Sequence, residues 1–160
     1  MSKKKNITTP AIRVLKARRV DFLLHPYRYE DHGGTAVAAR ALGLDERQVI
    51  KTLVMEGEPK QYFLILMHGD RQVSVKSMAR SLSIKTVTPC EPEIAHKITG
   101  YKVGGISPFG TRKVLPVYLE SSIMALDTIY INAGKRGIMA QLAPTVLVGI
   151  LNPVMVTVGV

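Results

Sequence analysis

Hydrophobic positions along this chain fall into short runs punctuated by glycine, proline and charge, and the runs keep two different periods. After Thr9-Pro10, apolar side chains recur at Ala11, Ile12, Val14 and Leu15, while Arg13, Lys16 and Arg18 face the other way. This spacing predicts an amphipathic helix over 11–19 with proline at its first position and a basic outer face. Phe22–Tyr29 reads as a strand, and Pro26 asks for an edge or a bulge because it donates nothing to a ladder. Tyr27 and Tyr29 share a face in that reading. Glu30–Gly34 is a loop. Thr35 is expected to cap a short helix through Leu42 that stops at Gly43, and Asp45–Gln48 to form one capped helical turn.

Val49–Met55 and Gln61–Met67 are the strongest strand candidates, joined by the turn cluster Glu56–Lys60 as a hairpin. His68–Asp70 turns the chain into a short strand at Arg71–Val73. Ser74 caps a helix that buries Val75, Met78, Ala79 and Leu82 and exposes Lys76 and Arg80. Lys85–Val87 reads as a short strand, and Pro92 opens a helix that closes at Gly100. Tyr101–Gly110 holds three glycines and a proline and fits neither regular element. Strands are expected at Leu115–Leu119, Thr128–Asn132, Ile138–Leu142 and Val154–Val158, with helices at Ser121–Leu126 and from Pro144. Ala133–Gly137 is a basic turn. The pattern predicts a single α/β domain over 1–160 with mixed strand order, and a mobile basic tail at 1–7.

One charged residue interrupts the strongest strand. Lys51 shares a face with Val49, Leu53 and Met55, where an unpaired ammonium is costly. Either it snorkels to water near the strand's start, or the face opens into a cavity that uses a cation.

Composition changes the picture through charge. The 160 residues carry 22 Lys plus Arg against 12 Asp plus Glu, a net charge of +10. That balance favours a polyanionic partner such as nucleic acid. With nine aromatic residues and no tryptophan, recognition of structured RNA by backbone and shape fits better than base stacking. One cysteine allows no internal disulfide. With no apolar run of bilayer length and no leader-like segment after the basic N-terminus, a cytoplasmic protein without a membrane partner is expected.

Several chemistries lack their residues. Phosphate-loop and dinucleotide motifs are missing, His25, His32, His68 and His96 have no ligand spacing, so no metal or cofactor is expected, and Cys90 has no activating neighbour in sequence. What remains is Lys51 with two glycine-rich segments, Gly104-Gly105 and Gly134 to Gly137. They either serve turns or present main-chain N–H groups to a carboxylate, ester or oxyanion.

Val49-Ile50-Lys51-Thr52-Leu53-Val54 and Gly100–Gly110 resemble the YbaK/EbsC family of aminoacyl-tRNA deacylases, related to the editing insertion domain of prolyl-tRNA synthetase. Thr9-Pro10-Ala11, His25-Pro26-Tyr27, Ala41–Leu44 and Gly134-Lys135-Arg136-Gly137 extend the resemblance from about Thr8 to the C-terminus. It implies an α+β fold, with a mixed, curved sheet or partly closed barrel surrounded by helices. It implies that Lys51 is the essential lysine, and that Tyr27, Thr52, Gly104, Gly105, Ser107, Gly134, Lys135, Arg136 and Gly137 bind substrate. The implied substrate is mischarged tRNA, Cys-tRNA(Pro) and Cys-tRNA(Cys) in the best-matching type, with prolyl-tRNA synthetase as an expected partner. The implied chemistry uses the substrate's own thiol. A deacylase of Ala- or another small aminoacyl-tRNA that uses water, and a non-catalytic RNA-binding or synthetase-associated module, are the alternatives. Two departures stand out: Met139 occupies a position that is often acidic in relatives, and Asp31–Thr35 lacks an aromatic that some members carry.

Overall fold

The computed structural model describes residues 7–160, so all of the expected tail except Ile7 lies outside the described residues. Ile7 itself packs against the core. Among the described residues there are five helices: α1 (Pro10–Ala17), α2 (Gly34–Leu42), α3 (Val75–Leu82), α4 (Pro92–Thr99) and α5 (Pro144–Leu151). They flank eight strands: β1 (Leu23–Pro26), β2 (Val49–Glu58), β3 (Gln61–His68), β4 (Thr86–Pro89), β5 (Val117–Glu120), β6 (Ile129–Asn132), β7 (Ile138–Leu142) and β8 (Val154–Val156). The strands form one mixed sheet in the order β1-β7-β6-β2-β3-β5-β8, with β4 also paired to β2. It is open between β1 and β8, so the mixed sheet is found and not a closed barrel.

Both faces of the sheet are covered. On β3, Leu64 and Leu66 join the larger core with Ile12, Leu15, Ile98 and Leu147 of α1, α4 and α5. The intervening Phe63, Ile65 and Met67 pack with Met78 of α3 on the other face. A strand buried on both faces reads as a continuous apolar run, as 62–67 does. Under α2 a third, smaller cluster holds Ala38, Ala39, Val49 and Met139.

Local expectations changed at several places. β1 ends at Pro26, the fifth residue of the predicted 22–29 run, because proline lacks the N–H that a continuing ladder needs. Tyr27 leaves the strand, although its N–H still reaches Gly137 O at 2.8 Å. Thr35 does not cap α2. Gly33 takes that position, and the Thr35 hydroxyl is drawn to other partners described below. The expected strand at 71–73 shrinks to a single bridge between Val73 and Gly159. Val75, expected inside, is 38% exposed in the first turn of α3. Ser121–Ala125 is a 3₁₀ helix, not an α-helix.

β2 is the central strand and its two edges differ. Along one edge it pairs with β3 over eight residues, from Ile50↔His68 to Gly57↔Gln61. Along the other, it pairs with β6 only at Val49 and Ile50, and with β4 only from Met55 to Glu58. Residues 51–54 have no strand partner there, so the sheet is split. Ladder parity shows which groups face the split. Leu64, opposite Val54, sends its N–H away from β2 to Pro116 O, and Val49 O accepts from Gly69 N on the β3 side. Ile50, Thr52 and Val54 therefore direct their main-chain groups away from β3, and Thr52 has both of its own aimed into the split.

Candidate active site in a split of the sheet

A cavity of about 460 Å³ opens at this split. Side chains from both faces of β2 line it, Lys51 and Leu53 from one and Ile50 and Thr52 from the other. Tyr27, Tyr29, Asp31 and His32 approach from the segment after β1. Val103, Gly104 and Ile106 come from the glycine-rich segment after α4, and Asn132, Arg136 and Met139 from the β6–β7 hairpin. Pockets of about 300–1,000 Å³ take small ligands. This one combines an apolar lining with two cations, two phenols and a carboxylate.

Lys51 lies between the cluster under α2 and the cluster under α3, where the apolar packing is interrupted. Its ammonium makes one long contact, 3.5 Å to Gly69 O. Burial lowers its pKa, opposed by the charges of Glu46 and Asp70. It is neither fully solvated nor locked in an ion pair, which leaves it free to meet an anionic or strongly polar ligand. Thr35 helps fix this corner: its hydroxyl donates to the Glu46 carboxylate at 2.7 Å and lies 3.2 Å from Gly69 O.

Gly69 is packed so tightly that no side chain fits. A Cβ there would stand 2.6 Å from Thr35 Oγ1, 2.7 Å from Val49 O and 2.8 Å from Glu46 O. Overpacking of this kind costs about 1–3 kcal/mol and moves the backbone. Gly69→Ala is expected to lower the melting temperature and, by displacing the carbonyl that anchors Lys51, to reduce turnover about tenfold. Paired melting curves and activity assays check both effects.

The Thr52 hydroxyl is a buried oxygen without a hydrogen-bond partner. Leaving such a group unsatisfied costs about 1–3 kcal/mol, and valine would fill the same space. Of the sequence-predicted residues, Tyr27, Lys51, Thr52, Gly104 and Arg136 line the cavity together. Burial and the neighbouring Tyr29 raise the Tyr27 pKa, so its phenol is a hydrogen-bond donor at neutral pH.

The two adjacent glycines part company. Gly104 lines the cavity with φ +93°, and a Cβ there would meet Tyr29 Oη at 2.5 Å. Gly105 lines a separate groove behind it, with Gly134 and Lys135, and its N–H is already committed to Lys102 O at 2.8 Å. It has no donor left for a ligand. Ser107 and Gly137 line neither opening: the Ser107 hydroxyl accepts from Phe109 N at 3.1 Å, and Gly137 packs against Tyr27 O.

Sequence reasoning did not place Tyr29 or Asn132 in the site. Arg136 stacks over the Tyr29 ring at 5.1 Å and donates to Val103 O at 2.9 Å. Asn132 donates to Gly104 O at 3.2 Å and accepts from the N–H groups of Gly134 and Lys135 at 2.6 and 3.0 Å. One side chain thus clamps both glycine segments. Its position at the end of a strand, just before a glycine turn, was the available signal. Met139 is buried and closes the cavity with an apolar wall. His68 and Ser122 are 2.7 Å apart outside the cavity. His68 Nδ1 donates to Arg47 O, so Nε2 accepts from the serine in a structural clip.

The fold and the cavity define an α/β protein with cations, hydroxyls and main chain around an amphipathic pocket. A family model described as an aminoacyl-tRNA editing domain matches residues 30–150. EbsC of Enterococcus faecalis, designated a candidate Cys-tRNA(Pro)/Cys-tRNA(Cys) deacylase, is 30% identical over 154 residues, covering 95% of this chain and 94% of that protein. A stretch of the proline–tRNA ligase of Brachyspira hyodysenteriae is 21% identical over 56% of this chain, and corresponds to 15% of that enzyme. A crystal structure described as a candidate trans-editing enzyme for prolyl-tRNA synthetase superposes with TM-score 0.82 at 21% identity, covering 96% of this chain and 98% of that one. This chain belongs to the aminoacyl-tRNA editing domain family.

Proposed function

We propose that this chain is a trans-editing deacylase that removes cysteine from Cys-tRNA(Pro), and also from Cys-tRNA(Cys), in the cytoplasm, with prolyl-tRNA synthetase as a partner. The observation that carries the reading is the Lys51 ammonium in a cavity beside the unpaired hydroxyl and main chain of Thr52. The membership of the family and the similarity to EbsC support the reaction class and the substrate.

In this reading the enzyme supplies position and electrostatics, and the substrate supplies the nucleophile. The cysteinyl sulfur attacks its own ester carbonyl carbon. The bond from that carbon to the terminal ribose oxygen breaks, the thiol proton passes to the departing oxygen, and a thiolactone forms that water later opens. Holding the thiol against the face of the ester carbonyl contributes several kcal/mol. Lys51 orients the ester and balances charge as the carbonyl oxygen becomes negative. With the Gly105 amide engaged, Thr52 becomes the donor to that oxygen, through its hydroxyl or its main-chain N–H. Tyr27, Ile106 and Met139 bound the amino-acid side chain.

A second reading has a specific observation behind it: Asp31 and His32 stand at the exposed end of the cavity, where either can activate water. A water mechanism extends to alanyl and other small aminoacyl esters. Thr52→Val separates the Thr52 role from packing. Loss of the hydroxyl is expected to lower kcat/KM about tenfold and to leave stability equal or higher, since an unsatisfied oxygen is removed. Unchanged kcat/KM would remove the hydroxyl from the mechanism.

A further inference from the structure

Behind the glycine segment that forms one cavity wall lies a second depression of about 370 Å³. Its polar lining comes from His96 at the end of α4, Lys102, Lys135 and Arg136, and no carboxylate lines it. Lys102, Lys135 and Arg136 are exposed, so their charges are available. Gly100, Gly105 and Gly134 form the rest of the wall together with the nearly buried Tyr101. A Cβ at Gly105 would stand 2.8 Å from Arg136 N and one at Gly134 2.9 Å from the Tyr101 ring, so these glycines let the segments of the wall pack together and hold the cations in place. Burial pushes the Tyr101 phenol up to about 12. Its hydroxyl donates to Phe109 O at 2.6 Å, so it adds no negative charge. Arg13 of α1 lies within electrostatic reach of Tyr101, which carries the positive strip onto the basic face of the first helix.

The groove and the cavity meet at Arg136. This side chain lines both and stacks on Tyr29 on the cavity side. Gly104 and Gly105, adjacent in sequence, lie one in each opening. A chain bound in one therefore continues into the other over a rim one residue wide.

We propose that this groove holds the phosphates that precede the terminal nucleoside of an RNA 3′ end, while the aminoacyl ester occupies the cavity. The inference rests on the deacylase reading and deepens it by assigning the path of the RNA strand. The groove has cations and main chain but no exposed Phe, Tyr or Trp among its lining residues, so it grips the backbone and does not read bases. It is consequently indifferent to RNA sequence.

The test compares wild type with a Lys102→Glu/His96→Glu double variant, both positions being exposed and outside the cavity. Two substrates are used: cysteinyl-tRNA and the phosphate-free 3′-O-cysteinyl adenosine. The expected result is a drop of about tenfold or more in kcat/KM on the tRNA with an unchanged value on the nucleoside ester. Equal loss on both, or loss on neither, overturns the groove assignment. Uncharged tRNA binding as a function of salt gives a readout that needs no turnover. The logarithmic salt slope should fall by about 0.7 for each single-strand phosphate that the variant no longer neutralises. If wild type cleaves neither substrate, the deacylase reading fails while the binding measurement still decides the groove. Unchanged tRNA affinity with abolished binding to prolyl-tRNA synthetase would assign the groove to an acidic protein face and overturn the proposal.

Discussion

Lys51→Met is expected to reduce deacylation of Cys-tRNA(Pro) about a hundredfold or more while leaving the melting temperature unchanged or raised. The two halves have one cause. The ammonium sits in an interruption of apolar packing, held only by a 3.5 Å contact to Gly69 O. Removing a preorganised charge from a reacting centre costs about 10²–10³ in rate. Removing it from a half-buried site where it gains little relieves the fold. Methionine keeps the length of the side chain and suits the apolar cavity wall that Met139 forms. The pH behaviour has a defined sign. Burial lowers the pKa of Lys51 from the ordinary 10.5, so the folded chain releases this proton before the unfolded chain does. Over that window the unfolded state holds more protons, and the Lys51 contribution to stability rises with pH. Activity that needs the ammonium falls over the same window, on the alkaline side and below pH 10.5. Single-turnover rates corrected for spontaneous ester hydrolysis, with melting curves from neutral pH up to that value, check both trends. A variant that unfolds, or deacylates normally, removes Lys51 from the mechanism.

The other large effect concerns the substrate. Cys-tRNA(Pro) and its S-methyl counterpart differ by one methyl group, worth about 1–3 kcal/mol in an apolar pocket. If sulfur is the nucleophile, methylation removes the reagent, and the rate should fall by three orders of magnitude or more, far beyond a steric effect. A thiolactone trapped in the unmodified reaction gives independent support. Comparable cleavage of both substrates would transfer the chemistry to water and to the Asp31 and His32 end of the cavity. Alanyl- and seryl-tRNA assayed alongside then separate the two readings again, since neither carries a thiol.

The parts of the molecule written in local pattern were legible. The hairpin of β2 and β3, the helix that starts at Pro10, and the misplaced charge of Lys51 all follow from residues close in sequence. The site as a whole did not. Tyr27, Lys51, Gly104 and Arg136 come from segments far apart, and only the family resemblance gathered them before the fold was known. That resemblance assigned Gly104 and Gly105 one role, whereas the backbone sends them to different openings because the Gly105 amide closes a turn onto Lys102 O. The parallel pairing of β2 with β6, and the place where it stops, depend on residues some eighty positions apart. Lys51 marks the run as unusual, but nothing in Val49–Met55 announces a split sheet, since the split depends on which distant strands pair with it. The capping threonine expected at Thr35 failed for a related reason: a long-range carboxylate partner, Glu46, outcompeted the local helix N–H.

The split in the sheet also bears on how this chain avoids its own kind. Unsatisfied strand edges present main-chain donors and acceptors to ligands, but they also recruit strands from other molecules and seed aggregation. Here the open stretch is residues 51–53, since Val54 O already accepts from Cys90 N at 2.9 Å; ladders to β6 and β4 close it above and below, and loops cover it. A foreign strand would need a longer free edge and an approach path that these ladders block. A ligand that needs only one residue's worth of backbone, such as an ester with its neighbouring amine, fits the same opening. The interior edge can thus remain adhesive toward a small guest while staying inert toward another polypeptide.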